Sequence, residues 1–182
     1  LLGVIGGGTM GSGIATAALL SGLRVTLIER DAASADKAAA TIARNLDGAV
    51  KRGKLDAGHR DRLLSDTLHT ATGYDALAGV DLTIEAVFED MDVKKRVFAE
   101  LDRVMKPGAV LATNTSYLDV NEIARSTSRP ADVIGLHFFS PAHVMKLLEV
   151  VEGARLEQVT YDPNHPQMGG ADATLGSCNN GA

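Results

Sequence analysis

The sequence has no tryptophan, a single cysteine (Cys178) and few aromatic residues, at 4%. One cysteine excludes an internal disulfide framework, and a reducing, cytoplasmic compartment is the simpler expectation. No apolar run approaches the roughly 20 residues needed to span a bilayer, so no membrane partner is expected. A basic excess is also missing. The formal net charge is −5 and the pI about 5.5, which speaks against nucleic acid as the main partner. Small anionic ligands are not excluded, because local fields outweigh the net sum. What remains is an ordinary globular composition, 45% apolar and 23% charged with mean hydropathy +0.04, in 182 residues. That is enough for one well-packed domain. The chain opens Leu1-Leu-Gly-Val-Ile without methionine, so its start reads as a cut within a longer polypeptide.

Strands and helices alternate. Strands are expected at Leu1–Ile5, Arg24–Glu29, Leu68–Ala71, Val80–Glu85, Ala109–Thr113, Val133–His137 and Leu147–Val151. Ala38, Ile42, Leu46 and Val50 recur four apart and predict a helix over Ser34–Arg52. Gly53 ends it, and a shorter helix over Ala57–Leu64 completes a helical hairpin inserted between strands. Val93, Val97, Leu101 and Val104 mark a helix over Asp92–Met105, and Val120–Ser126 a short one. This order predicts an α/β fold with a doubly wound, mostly parallel sheet. Beyond about Arg155 the pattern fails. Residues 161–182 include 13 Gly, Asn, Pro, Asp, Ser or Thr, so 1–155 reads as the domain and 156–182 as an atypical polar tail of loop or disorder.

Two segments carry chemistry. Gly6-Gly-Gly8-Thr9-Met10-Gly11 fits G-x-G-x-x-G between a strand and a helix. Such a loop makes a tight turn, brings backbone close to a pyrophosphate and offers a helix N-terminus to the phosphates. Glu29, 18 residues past Gly11 at the end of the next strand, suits the ribose hydroxyls and repels a 2′-phosphate, favouring NAD over NADP. Arg30 beside it weighs the other way. The second segment, Gly135-Leu-His137-Phe-Phe-Ser-Pro followed by Val144-Met-Lys-Leu-Leu-Glu149-Val-Val, ends one strand in a histidine and puts a carboxylate inside the next. Histidine titrates near neutral pH, and a carboxylate close by can orient it. Buried unpaired, Glu149 would be costly, so it needs a partner.

With Ile84-Glu-Ala-Val-Phe-Glu-Asp and Asn114-Thr-Ser-Tyr-Leu added, about residues 1–153 resemble the Rossmann-type NAD-binding domain of the L-3-hydroxyacyl-CoA dehydrogenases. The likeness is greatest to the dehydrogenase portion of multifunctional fatty-acid β-oxidation proteins. The resemblance implies oxidation of (S)-3-hydroxyacyl-CoA to 3-oxoacyl-CoA, with His137 as base, Glu149 as its paired carboxylate and Ser116 near the substrate oxygen. It assigns Gly6, Gly8, Thr9, Met10, Gly11, Glu29, Arg30, Glu89, Lys94 and Asn114 to the cofactor, and Asn45 and Arg52 with Ser116 to the substrate. A solvated helix charge is the other reading of Lys94, and a solvated basic helix end the other reading of Arg52. The remaining histidines lack ligand spacing, so no metal site is proposed. The family's C-terminal helical domain, which supplies the opposite wall of the cleft and most of a homo-oligomer interface, has no counterpart in these residues. An NAD-binding module without independent catalysis is therefore the alternative function.

Overall fold

The computed structural model describes residues 1–152 and, as backbone, the strand at 155–160. Eight strands form one sheet: β1 (Leu2–Ile5), β2 (Val25–Ile28), β3 (Leu68–Ala71), β4 (Leu82–Glu85), β5 (Val110–Thr113), β6 (Val133–Phe138), β7 (Leu147–Glu152) and β8 (Arg155–Thr160). Their order is β3-β2-β1-β4-β5-β6-β7-β8. The pairings from β3 through to β6 are parallel, and those of β6 with β7 and β7 with β8 are antiparallel. This is a Rossmann-type, doubly wound fold, with the direction of winding reversed between β1 and β4. Ligands in such sheets bind beyond the carboxyl ends of the strands at that reversal.

The helices are α1 (Thr9–Leu20), α2 (Ala32–Lys51), α3 (Ala57–Arg62), α4 (Met91–Val104) and α5 (Val120–Ala124). A strand buried on both faces reads as a continuous apolar run, and all four residues of β1 and of β2 are buried. Alternation sends Val4 and Leu27 to the side of α1 and α2, where Ile14, Leu19, Ile42 and Leu46 meet them. Ile5 and Ile28 turn to the other side, against Val97, Phe98 and Leu101 of α4. The helical hairpin is present as α2 and α3, the latter running into a π-helical turn at Leu63–Thr67. The apolar stripe expected on α4 is shifted. Val97 and Leu101 are buried as expected, with Phe98 and Lys94 beside them, whereas Val93 and Val104 are half-buried.

The sheet continues past the boundary expected at 155. Arg155–Thr160 pairs residue by residue with β7, so the sheet runs on into the segment read as tail. Its polar spacing hid a strand whose hydrogen bonds to β7 need no apolar alternation. The rest of that tail, 161–182, with His165 and Cys178, lies outside the described residues.

The first helix can start immediately after β1 because of glycine. Gly6 has φ +91°, and a Cβ on Gly11 would stand 1.7 Å from the Gly6 carbonyl oxygen. Gly11→Ala therefore has to push α1 off β1. We expect a loss of about 1–3 kcal/mol of stability, read as a lower urea midpoint, together with loss of dinucleotide affinity.

Candidate active site

An open cleft of about 950 Å³ lies at the β1–β4 reversal, lined by Gly6, Gly8, Thr9 and Met10 on one side and by Ala86, Val87 and Phe88 on the other. Glu29 and Arg30 line its far end. Glu29 accepts a hydrogen bond from the Gly7 N–H at 2.7 Å and one from the Arg30 N–H at 3.1 Å, which fixes its carboxylate over the loop. The capping pattern shows what the loop is suited to. Helices α2, α3, α4 and α5 each begin with an aspartate whose side chain accepts a first-turn N–H. Helix α1 begins at Gly8, with no side-chain cap and nothing within 4 Å of where a Cβ would be. A bare, positively polarised helix start beside open space fits a pyrophosphate, and a carboxylate at the ribose end fits the remainder of NAD.

On the other edge, β6 and β7 pair antiparallel with His137 directly opposite Glu149. The His137 Nδ1 lies 2.9 Å from Glu149 Oε2, each side chain being 20% exposed. Facing a carboxylate, Nδ1 carries the proton and donates it, which leaves Nε2 as the basic ring atom. The imidazole also packs on Phe139, with ring centroids 4.7 Å apart.

Between cleft and histidine lies a charged network that the sequence only partly disclosed. Glu85, at the end of β4, is fully buried. It accepts hydrogen bonds from Lys94 Nζ at 2.7 and 2.9 Å, from the Thr113 hydroxyl at 2.7 Å and from the Val87 N–H at 2.8 Å. The same ammonium is 3.0 Å from Glu89, whose other oxygen accepts from the Thr115 hydroxyl and, at 2.9 Å, from the Ser116 N–H. Burial pushes the Glu89 carboxyl up, but the bonds from Thr115 and Ser116 and the charge of Lys94 outweigh it and hold it below its ordinary value. Asn114 completes the link by accepting the Phe138 N–H at 2.8 Å, next to His137.

Lys94 is thus no solvated helix charge. It is 1% exposed, and neither it, Glu89 nor Asn114 is among the residues lining the cleft. Lys94 and Glu89 brace the 114–116 turn. Ser116 itself is exposed. Asn45 donates to the Thr16 hydroxyl at 3.1 Å and so ties α2 to α1. Arg52 is exposed and lies close enough to His143 to act on it. Burial pushes the His143 imidazole below its ordinary value, and Arg52 adds to that. Glu85, Thr113 and Thr115 were missed as site residues. The available signal was an acidic residue closing an apolar strand, with a lysine nine positions later.

The sequence model of the family described as 3-hydroxyacyl-CoA dehydrogenase, NAD binding domain, matches residues 1–165. The chain belongs to that family. As a 3-hydroxyacyl-CoA dehydrogenase NAD-binding domain it is 49% identical over 150 residues to a peroxisomal bifunctional enzyme of Cavia porcellus, covering 82% of this chain and 20% of that protein. It is 46% identical to a 3-hydroxybutyryl-CoA dehydrogenase of Clostridioides difficile, covering 88% of this chain and 57% of that protein. The crystal structure of 3-hydroxybutyryl-CoA dehydrogenase from Escherichia coli K12 superposes with TM-score 0.80 at 45% identity, covering 84% of this chain and 32% of that one. The chain thus spans from a fifth to somewhat over half the length of these relatives.

Removing one partner of a buried ion pair strands the other. Lys94→Met leaves Glu85 uncompensated, and we expect a loss of about 3–5 kcal/mol in urea unfolding. Glu89 has a lowered folded pKa, so its contribution to stability is present above its ordinary value of 4.5 and is lost as pH falls below it. The urea midpoint of Glu89→Gln should therefore fall less steeply than that of the native chain as the solution is acidified below that value.

Proposed function

We propose that this chain is the cofactor-binding part of an NAD-dependent dehydrogenase that oxidises (S)-3-hydroxyacyl-CoA to 3-oxoacyl-CoA in fatty-acid β-oxidation. The observation that carries the reading is the His137 Nδ1–Glu149 Oε2 pair at 2.9 Å, on the same sheet as the dinucleotide cleft. Oxidising a secondary alcohol removes a hydride from its carbon and a proton from its oxygen. Bound NAD supplies the acceptor for the hydride. His137 takes the proton at Nε2, while Glu149 holds the ring in that tautomer and stabilises the imidazolium that forms.

The other residues position. Gly6, Gly8, Thr9 and Met10 hold the pyrophosphate, Gly11 lets α1 start close to β1 so that its N-terminus faces it, and Glu29, with Arg30 beside it, holds the adenosine ribose. Lys94, through Glu89, fixes the Ser116 backbone, so that the Ser116 hydroxyl donates to the substrate oxygen. Asn114 anchors the strand end that carries His137. Asn45 and Arg52 belong to the side of the domain that meets the coenzyme A moiety. No helix among the described residues is long and apolar enough to cross a membrane. A cytoplasmic setting and homo-oligomerisation of the full-length protein complete the proposal.

A second reading, an NAD-binding module that does not turn over by itself, is favoured by one observation. The cleft is open, and Phe88 on its lip and Tyr117 next to Ser116 are 79% and 75% exposed, so these residues alone do not exclude water from the site. NAD binding measured in parallel with NADH consumption on acetoacetyl-CoA separates the two readings. Binding without turnover leaves the module; absence of binding overturns both. Where turnover is present, His137→Gln should lower it by about 10²–10⁴-fold at unchanged NAD affinity. A retained rate removes His137 as the base.

A further inference from the structure

We propose that Ala142 is a positioning residue for His137: seated on Gly13 of α1, it holds the hairpin that carries the imidazole at a fixed place beside the dinucleotide loop. The proposal rests on the reading of His137 as base and deepens it by naming what sets the ring against the cofactor. Of residues 140–146, which join β6 to β7, Ala142 is the one that is buried. It is 1% exposed and belongs to the core cluster that includes Ile14, Ala15 and Leu19 of α1. The Pro141 carbonyl accepts the N–H groups of Val144 and Met145, both at 2.9 Å, so Ala142 lies inside a closed turn and carries that turn with it. The seat is close. A Cβ on Gly13 would stand 3.2 Å from the Ala142 Cβ and 3.3 Å from its backbone nitrogen, tighter than side chains normally pack.

The two sides of this contact are unequally anchored. Helix α1 is buried from Gly11 to Leu19. Its start is tied to the glycine loop by the Ser12 hydroxyl, which donates to the Gly7 carbonyl at 2.7 Å, and by the close approach of Gly11 to Gly6. A methyl added at Gly13 therefore meets a helix that cannot retreat, and the 140–146 connection has to yield. His137 precedes that connection and Glu149 follows it, so a displaced turn pulls on both members of the 2.9 Å pair. From the other side, Asn114 accepts the Phe138 N–H. The ring is thus held between the end of β5 and α1, and the second hold is made with the helix that begins at the dinucleotide loop.

A methyl swap on the whole chain tests the idea. Gly13→Ala should move the His137 ring resonances, assigned by their loss in His137→Gln, while NAD⁺ affinity stays unchanged. Where the chain turns over acetoacetyl-CoA, the same variant should lower kcat by about 3–10-fold. Adding Ala142→Gly, which removes the opposing methyl, should return both readouts toward their native values. Ala18→Gly is the control: it weakens α1 away from Ala142, and should lower the urea midpoint without moving the resonances. A Gly13→Ala chain that folds with its resonances in place overturns the proposal, as does a moved resonance at native kcat. So does a swap that recovers nothing, or an equal movement in Ala18→Gly. If Gly13→Ala does not fold, Ala142→Gly alone decides: moved resonances at unchanged NAD⁺ affinity support the role, and unmoved ones overturn it. The resonances report on the His137–Glu149 pair whether or not the chain turns over. Their failure to respond overturns this proposal only, whereas a retained rate in His137→Gln overturns the base reading.

Discussion

One ammonium, on Lys94, is shared by two carboxylates at the carboxyl end of β4, and the site is built outward from it. Lys94 satisfies Glu85, which has no access to water, and holds Glu89, which has some. Through Glu85 it joins α4 to β4 and, by way of Thr113, to β5. Through Glu89 it holds the turn at 114–116. A buried ion pair contributes little net stability compared with apolar packing, but it is intolerant of displacement, because each partner depends on the other for its charge balance. The arrangement therefore favours placement over stability, at the point where strands, helix and loop must agree.

The sheet supplies the rest through its two kinds of pairing. Parallel strands at the β1–β4 reversal open a crevice with the glycine loop on one lip. The antiparallel edge does something parallel pairing does not. It places residues from strands running in opposite directions side by side in matched pairs, which puts His137 and Glu149 face to face. Asn114 connects the two regions by holding the backbone of Phe138 from the end of β5.

Much of this was legible in the residues. β3 has the bounds read for it, Leu68–Ala71, and the buried face of α2 follows Ala38, Ile42 and Leu46. Period and glycine placement are local properties, so local reading finds them. The pairing of His137 with Glu149 was readable as a need for a partner, though the register that meets it was not. The burial of Lys94 was hidden for a physical reason. A lysine in a charged helical stretch reads as solvated, and only the tertiary position of Glu85 turns it inward. β8 escaped because backbone pairing to β7 carries it, with no alternation of side chains to announce it.

His137 and Glu149 are separated by 12 residues, whereas Gly7 and Glu29 are 22 apart and Ser116 and Glu89 are 27 apart. The His137–Glu149 pair is thus a local structure, closed by a single hairpin, while the cleft at the β1–β4 reversal depends on long-range topology. The segment joining the two strands carries Ser140–Lys146. That segment is itself anchored: Ala142 is 1% exposed, belongs to the core cluster of β1 and α1, and sits against Gly13. A change of length between Phe138 and Leu147 would therefore disturb the packing on α1 as well as the pairing of β6 with β7.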